Sequence, residues 1–308
     1  MHELKLMDVQ KKYKDKEAVR KFNYTFTNGV YGLLGENGAG KTTLMRLICG
    51  VLQPTGGSIY CDDIEIDSMG AEYRRLLGYL PQDFGYYGDF TAERFLRYMA
   101  ALKALPEDYA DSRIDELLDM VELKNVKKKK LKTFSGGMIR RIGIAQALLN
   151  NPEILILDEP MNGLDPIGIY EMREYLVNLC KEGNTTVFIS SHILSEIEQI
   201  ADVIGVMNHG RLLEEESITD LHKRLRRYAE YEVSNVEYVF SLLKERLDVS
   251  EILIDSKNRI RLFGKEMHRI EEINSYLIQN NIPIRQIRIE EEKLEDYFSE
   301  LIGGGEIG

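Results

Sequence analysis

"VYGLLGENGAGKTTLMRLICG", residues 30–50, decides the fold of this chain. Residues 30–34 read as a buried strand, a glycine-rich turn follows, and the next stretch is helical. Gly35, Gly40, Lys41 and Thr42, with Gly38 between them, satisfy the spacing G-x-x-x-x-G-K-[ST] in the strand–loop–helix context it requires. Glycine lets the backbone curl until successive N–H groups point at phosphate oxygens. The helix N-terminus adds favourable partial charge, Lys41 reaches terminal phosphates, and Thr42 can ligate Mg2+. The whole loop (Gly35, Glu36, Asn37, Gly38, Ala39, Gly40, Lys41, Thr42 and Thr43) is therefore the candidate cradle.

A metal beside phosphate needs an acidic partner, and "EILILDEP" (153–160) supplies one. It reads as an aliphatic strand ending in Asp158, which can hold Mg2+ directly or through water. Glu159, next in line, can orient and deprotonate an attacking water. Alone, such a pair is as often a solvated turn; beside a phosphate loop it reads as catalytic. A second anion-binding pattern lies at 133–149, "TFSGGMIRRIGIAQALL". Ser135, Gly136 and Gly137 stand directly before a helical pattern, offering bare backbone N–H groups. One nucleotide has no need of two cradles.

Outward from these motifs, residues 1–216 alternate strand-like and helical runs. "KEAVRKFNYTFTNG" alternates Val19, Phe22, Tyr24 and Phe26; "GYLPQ", "EILILD", "TTVFISS" and "DVIGVMN" read as buried strands. Apolar strands separated by helices predict an α/β fold with a mainly parallel sheet. The block 91–135 opens with two runs of packed-helix spacing, "TAERFLRYMAALKA" and "DYADSRIDELLDMVEL", and reads as a helical insertion. Residues 217–308 read differently: a basic helical start, "ITDLHKRLRRY", then strand 229–234, helix 235–247, strands 249–255 and 259–263 about an "SKN" turn, helix 265–280, strand 284–290 and helix 293–302. This βαββαβ order predicts a small α+β, ferredoxin-like accessory domain, with "GGGEIG" as a disordered tail.

Taken together, the motifs resemble those of the nucleotide-binding subunits of ATP-binding-cassette (ABC) transporters. "GENGAGKTT" resembles Walker A, "LPQDFGYY" the Q-loop, "FSGGM" the signature, "ILILDEP" Walker B, "NGLDP" the D-loop and "SSH" the switch histidine. The resemblance covers roughly residues 1–215, in the family's order, and implies a P-loop ATPase that binds ATP and Mg2+, with a mainly parallel sheet core and antiparallel β and helical subdomains. It implies that Tyr13 stacks on adenine, Gln82 reaches Mg2+ or water, Asp165 couples two sites and His192 contacts the γ-phosphate. In this family two cassettes sandwich two ATP molecules head to tail. The resemblance thus gives the second cradle a purpose: Ser135, Gly136 and Gly137 cap the γ-phosphate held by a partner cassette, in a homodimer or a pair with a second cassette. Phe134 and Met138 depart from the usual LSGGQ, which puts a peripheral nucleotide contact in doubt and leaves the three phosphate contacts in place. One cassette without membrane segments resembles the energy subunit of a separately encoded integral-membrane permease, and the C-terminal "KLEDYFSELIG" resembles the tails of drug- and antibiotic-exporter cassettes, which implies export.

Bulk properties agree with that expectation. A net charge of −11 over 308 residues argues against broad nucleic-acid binding. Three cysteines without CxxC spacing give neither a zinc site nor a disulfide scaffold, which fits a reducing compartment. No apolar leader opens the chain, and "ILIL" at 154–157 is far short of the ~20 residues that span a bilayer. The expected location is cytoplasmic, peripheral on the membrane through the permease. Two rivals stand beside this reading. An ABC ATPase of translation or DNA repair would show two cassettes or long coiled coils, and neither pattern is visible. A purely regulatory nucleotide-binding module would not need Lys41, Asp158, Glu159 and His192 together.

Overall fold

The computed structural model describes residues 2–183, 185–255 and 257–304. The chain divides into two compact units, Met1–Ile218 and Thr219–Gly308, a boundary two residues beyond the one read from the sequence.

The first unit opens with β1 (Leu4–Tyr13) and β2 (Lys16–Phe26), then β3 (Gly29–Leu34), the glycine-rich loop and α1 (Lys41–Ile48). Next come β4 (Gly56–Cys61), β5 (Ile64–Glu65), α2 (Ile66–Met69), α3 (Ala71–Leu76) and β6 (Leu77–Leu80). The insertion contributes α4 (Ala92–Leu102) and α5 (Glu107–Met120), followed by α6 (Gly136–Ala147). The unit ends with β7 (Ile154–Asp158), α7 (Pro166–Gly183), β8 (Thr186–Ser191), α8 (Leu194–Glu198), β9 (Val203–Asn208) and β10 (Arg211–Ser217).

Six strands form the central sheet in the order β10-β9-β3-β8-β7-β6. All neighbours are parallel except β10, which runs antiparallel to β9. Every residue of β7 and β8 is buried, as expected of strands covered on both faces. A second, antiparallel sheet has the order β2-β1-β4-β5. The aromatic alternation of "KEAVRKFNYTFTNG" lies in β2 of this sheet, the antiparallel β subdomain that the family resemblance implies. Phe22, Tyr24 and Phe26 turn inward, and Phe26 meets Phe188 of β8 at 4.9 Å, so one apolar core joins both sheets. Strands β1, β4, β5 and β10 had no clear sequence signal. They are glycine-rich, very short or polar on alternate positions, and pairing partners rather than composition make them strands.

In the insertion, Thr91 caps α4 by accepting a hydrogen bond from the Arg94 N–H at 3.2 Å. Glu107 and Asp108 complement the positive end of α5. Phe95, Leu96, Ile114, Leu117 and Leu118 bury the apolar faces of the two helices.

The second unit follows α9 (Ile218–Arg224) with β11 (Arg227–Val233), α10 (Val236–Leu247), β12 (Ile252–Ile254), β13 (Ile260–Phe263), α11 (Ile270–Gln279), β14 (Ile284–Glu291) and α12 (Leu294–Gly304). Its sheet has the order β12-β13-β11-β14, antiparallel throughout. Some boundaries differ from expectation. The strand expected at 249–255 shortens to β12. The helix expected from 265 begins as a 3₁₀ turn, Gly264–Arg269. Buried Glu266 in that turn accepts from the Ser250 N–H at 3.2 Å and from Arg269 at 3.0 Å, pinning the chain before a regular helix starts. Ser256 of the expected turn lies outside the described residues, while Asn258 adopts the left-handed conformation that reverses the chain. Gly303 and Gly304 of the expected tail belong to α12, and residues 305–308 lie outside the described residues.

Candidate functional site

The parallel sheet gathers the candidate residues by topology. β3 leads into the glycine-rich loop, β6 into Gln82, β7 ends on Asp158, and β8 leads into His192. These four strands lie side by side, so their C-terminal ends form one rim, where open α/β sheets bind ligands. A cleft of about 240 Å³ opens on that rim. Tyr13, most of the loop 36–43, Gln82 and Glu159 line it. Residues far apart in sequence thus converge on one rim. Tyr13, at the end of β1, is exposed beside this cleft, with Lys11 Nζ 5.5 Å from its ring centroid.

Only glycine fits the turn that enters α1. Gly40 has φ +111°, and a Cβ there would lie 2.2 Å from the Ala18 carbonyl oxygen. Lys41, next in line, is buried, and its Nζ donates to the carbonyls of Gly35 at 2.5 Å and Glu36 at 3.2 Å. Burial lowers its ammonium pKa from the ordinary lysine value, opposed by the nearby Glu159 and Asp158 carboxylates.

The acid pair is divided in its surroundings. Asp158 is fully buried; its Oδ1 accepts from the Ser190 hydroxyl at 2.7 Å, while Oδ2 has no partner. A buried carboxylate oxygen without a donor is costly unless something else satisfies it. The Thr42 hydroxyl donates to Gln82 Oε1 at 3.3 Å, bringing together two more oxygen donors. A hydroxyl, an amide oxygen and a carboxylate are the hard donors that Mg2+ selects, so these residues fit that ion.

Glu159 is also buried, and it is held from several directions. Its Oε1 lies 3.8 Å from Lys41 Nζ and 3.4 Å from His192 Nδ1, and its Oε2 accepts from the Asn162 side-chain amide. Its backbone N–H donates to Ser190 Oγ at 3.1 Å, and its φ is +51°, left-handed for a non-glycine residue. Ser190 and Asn162 carry no functional signal of their own in the sequence. Both lie inside quoted motifs, "SSH" and "NGLDP", but nothing in their spacing shows which atoms they reach.

The second cradle sits apart from this cleft. Ser135 and Gly136 are exposed at the start of α6, and Ser135 Oγ accepts from the Met138 N–H at 3.3 Å, capping its own helix. Gly137 is needed for packing: a Cβ there would stand 2.6 Å from the Gly163 carbonyl oxygen. Asp165, largely exposed, lies 3.5 Å from Arg141. Ser135, Gly136, Gly137 and Asp165 do not line the cleft that contains the glycine-rich loop of the same chain.

An ABC transporter family profile matches residues 19–162. The bacitracin transport ATP-binding protein BcrA of Bacillus licheniformis is 40% identical over 306 residues, covering 99% of each chain. The lantibiotic transport ATP-binding protein SrtF of Streptococcus pyogenes is 39% identical over 211 residues, 68% of this chain and 89% of that one. An ATP-binding cassette solved as a dimer in a post-hydrolysis state, bound to ADP and Pi, superposes with a TM-score of 0.65 at 27% identity, covering 70% of this chain and 98% of that one.

Proposed function

The chain belongs to the family of ABC transporter ATP-binding proteins, and from that premise we propose that it hydrolyses ATP to drive a separately encoded membrane permease of the antibiotic-exporter type. The bacitracin and lantibiotic transport proteins among its relatives favour export over the translation and repair readings. No helix among the described residues is long and apolar enough to cross a membrane, in keeping with a permease carried on another chain.

The observation that carries the chemistry is the meeting of Lys41, Gln82, Glu159 and His192 at one rim. The loop N–H groups and Lys41 bind the phosphates and neutralise charge that grows as the terminal bond breaks. Glu159 accepts the proton of the attacking water, with Asn162 and His192 fixing its carboxylate. Thr42, Gln82 and Asp158 would hold Mg2+, whose charge would screen the phosphate oxygens. Tyr13 would stack on the adenine. The separation of the exposed Ser135–Gly136 end from the chain's own cleft supports a head-to-tail pair, where each chain completes its partner's site with Ser135, Gly136 and Gly137 and couples it through Asp165. For the second unit, its βαββαβ order and the central place of β11 support a ferredoxin-like accessory domain.

Glu159→Gln tests this reading. It should bind ATP as the native chain does yet turn it over about 10²-fold or more slowly, the scale of a lost general base. Turnover at the native rate would remove Glu159 from the role of base.

A further inference from the structure

Arg140 stands one turn into α6, behind the exposed Ser135–Gly136 end, with its side chain buried. A guanidinium carries five N–H donors in a planar fork. Here five backbone carbonyls surround it. Nη1 donates to Pro81 at 3.0 Å and to Gln82 at 3.1 Å. Nη2 donates to Glu159 at 2.6 Å and also to Asp158, and Nε reaches Pro160 at 3.4 Å. One side chain on α6 therefore ties together the backbone leaving β6 and the backbone leaving β7.

The carbonyl of Glu159 matters most among these acceptors. A left-handed backbone at a residue with a Cβ is strained and persists only where its surroundings hold it. At Glu159 the N–H is held by Ser190 Oγ, and the carbonyl accepts from both Arg140 and the Asn162 N–H. With its backbone fixed at both ends, the Glu159 side chain has little freedom except toward Lys41, His192 and Asn162.

We infer that Arg140 is a positioning residue for ATP hydrolysis: it holds the Glu159 backbone so that the carboxylate faces the cleft, and it locks that conformation to the Pro81–Gln82 turn and to α6. The inference rests on the reading of Glu159 as the base. Displacement of either α6 or the Gln82 turn then moves Glu159 through one guanidinium. Lysine cannot replace it fully, because three donors on one nitrogen do not span acceptors distributed around a planar fork.

The test compares Arg140→Gln, Arg140→Lys, Glu159→Gln and the Arg140→Gln/Glu159→Gln double variant of the full chain, by single-turnover ATP hydrolysis, ATP affinity and thermal unfolding. Arg140→Gln should slow hydrolysis about 10²-fold, the scale of misplacing a catalytic group by about an ångström, while ATP affinity stays within about threefold. Arg140→Lys should fall between it and the native chain. In the Glu159→Gln background, Arg140→Gln should change the remaining rate by no more than about threefold, because it acts through a group already removed. A full additional loss in that background, or a native rate for Arg140→Gln alone, would overturn the inference. If Arg140→Gln does not fold, Arg140→Lys carries the same comparison. A native rate for Glu159→Gln would instead remove the base itself, a result read from that variant alone.

Discussion

Ser190 shows how much of the site depends on a single small hydroxyl. Fully buried at the end of β8, it donates to Asp158 Oδ1 and accepts from the Glu159 N–H, so both acids of the pair lean on it. Ser190→Ala would leave a buried donor and a buried acceptor without that partner. The expected cost is about 1–3 kcal/mol of stability, measured by denaturant unfolding. Because the Asp158 carboxylate loses its anchor, hydrolysis by the variant should also need more Mg2+ for half-maximal rate. An unchanged unfolding midpoint would mean that water or a neighbouring group replaces the hydroxyl. Residue types such as Lys41, Asp158 and Glu159 were legible because the chemistry demands them at fixed spacing. Ser190 was not, since serine is common and its two partners lie 31 and 32 positions away.

Among the elements, α6 joins two surfaces, and its first two glycines serve different ends. A Cβ at Gly136 would meet nothing within 4 Å, whereas one at Gly137 would press to 2.6 Å of the Gly163 carbonyl. Gly137→Ala should therefore cost about 1–3 kcal/mol as the helix and the loop before Asp165 are forced apart. Gly136→Ala should leave stability within about 0.5 kcal/mol, as expected for an exposed site without special backbone needs. If Gly136 faces a partner's phosphate, Gly136→Ala should still reduce ATP turnover. Urea unfolding midpoints and steady-state ATPase rates of both variants separate the effects. A Gly137→Ala chain as stable as the native one would show that α6 can slide off the loop at little cost. The helical pattern of α6 was plain in the sequence, but the loop it packs against was not.

For the whole molecule, the question is whether two chains share two sites. Asn37 in the glycine-rich loop and Gly136 on α6 are both exposed, and a head-to-tail pair would bring them together across the interface. Cysteines placed at both positions in the Glu159→Gln background should form a covalent dimer on mild oxidation with ATP, and less of it without nucleotide. A disulfide needs Cα atoms within about 7 Å, so a non-reducing gel reads true proximity. The native cysteines can stay. All three are buried, and burial raises the thiol pKa of Cys61 and Cys180 to about 11 and that of Cys49 upward as well, so at neutral pH they remain protonated and poorly reactive. Links formed only within one chain would refute the shared-site reading. The glycine-rich loop, the acid pair and the order of the motifs are legible in the sequence, because each depends on residues close together in the chain. Burial of β3, β7 and β8 is legible there too, since continuous apolar runs record burial on both faces. Which strands pair in the antiparallel sheet, in the order β2-β1-β4-β5, and that Gly137 must clear Gly163, follow only from the packed fold. It alone decided that Arg140 binds five carbonyls lying 18 to 59 positions away. Such contacts leave no periodicity or spacing behind, because the geometry that makes them exists only once the strands are packed side by side.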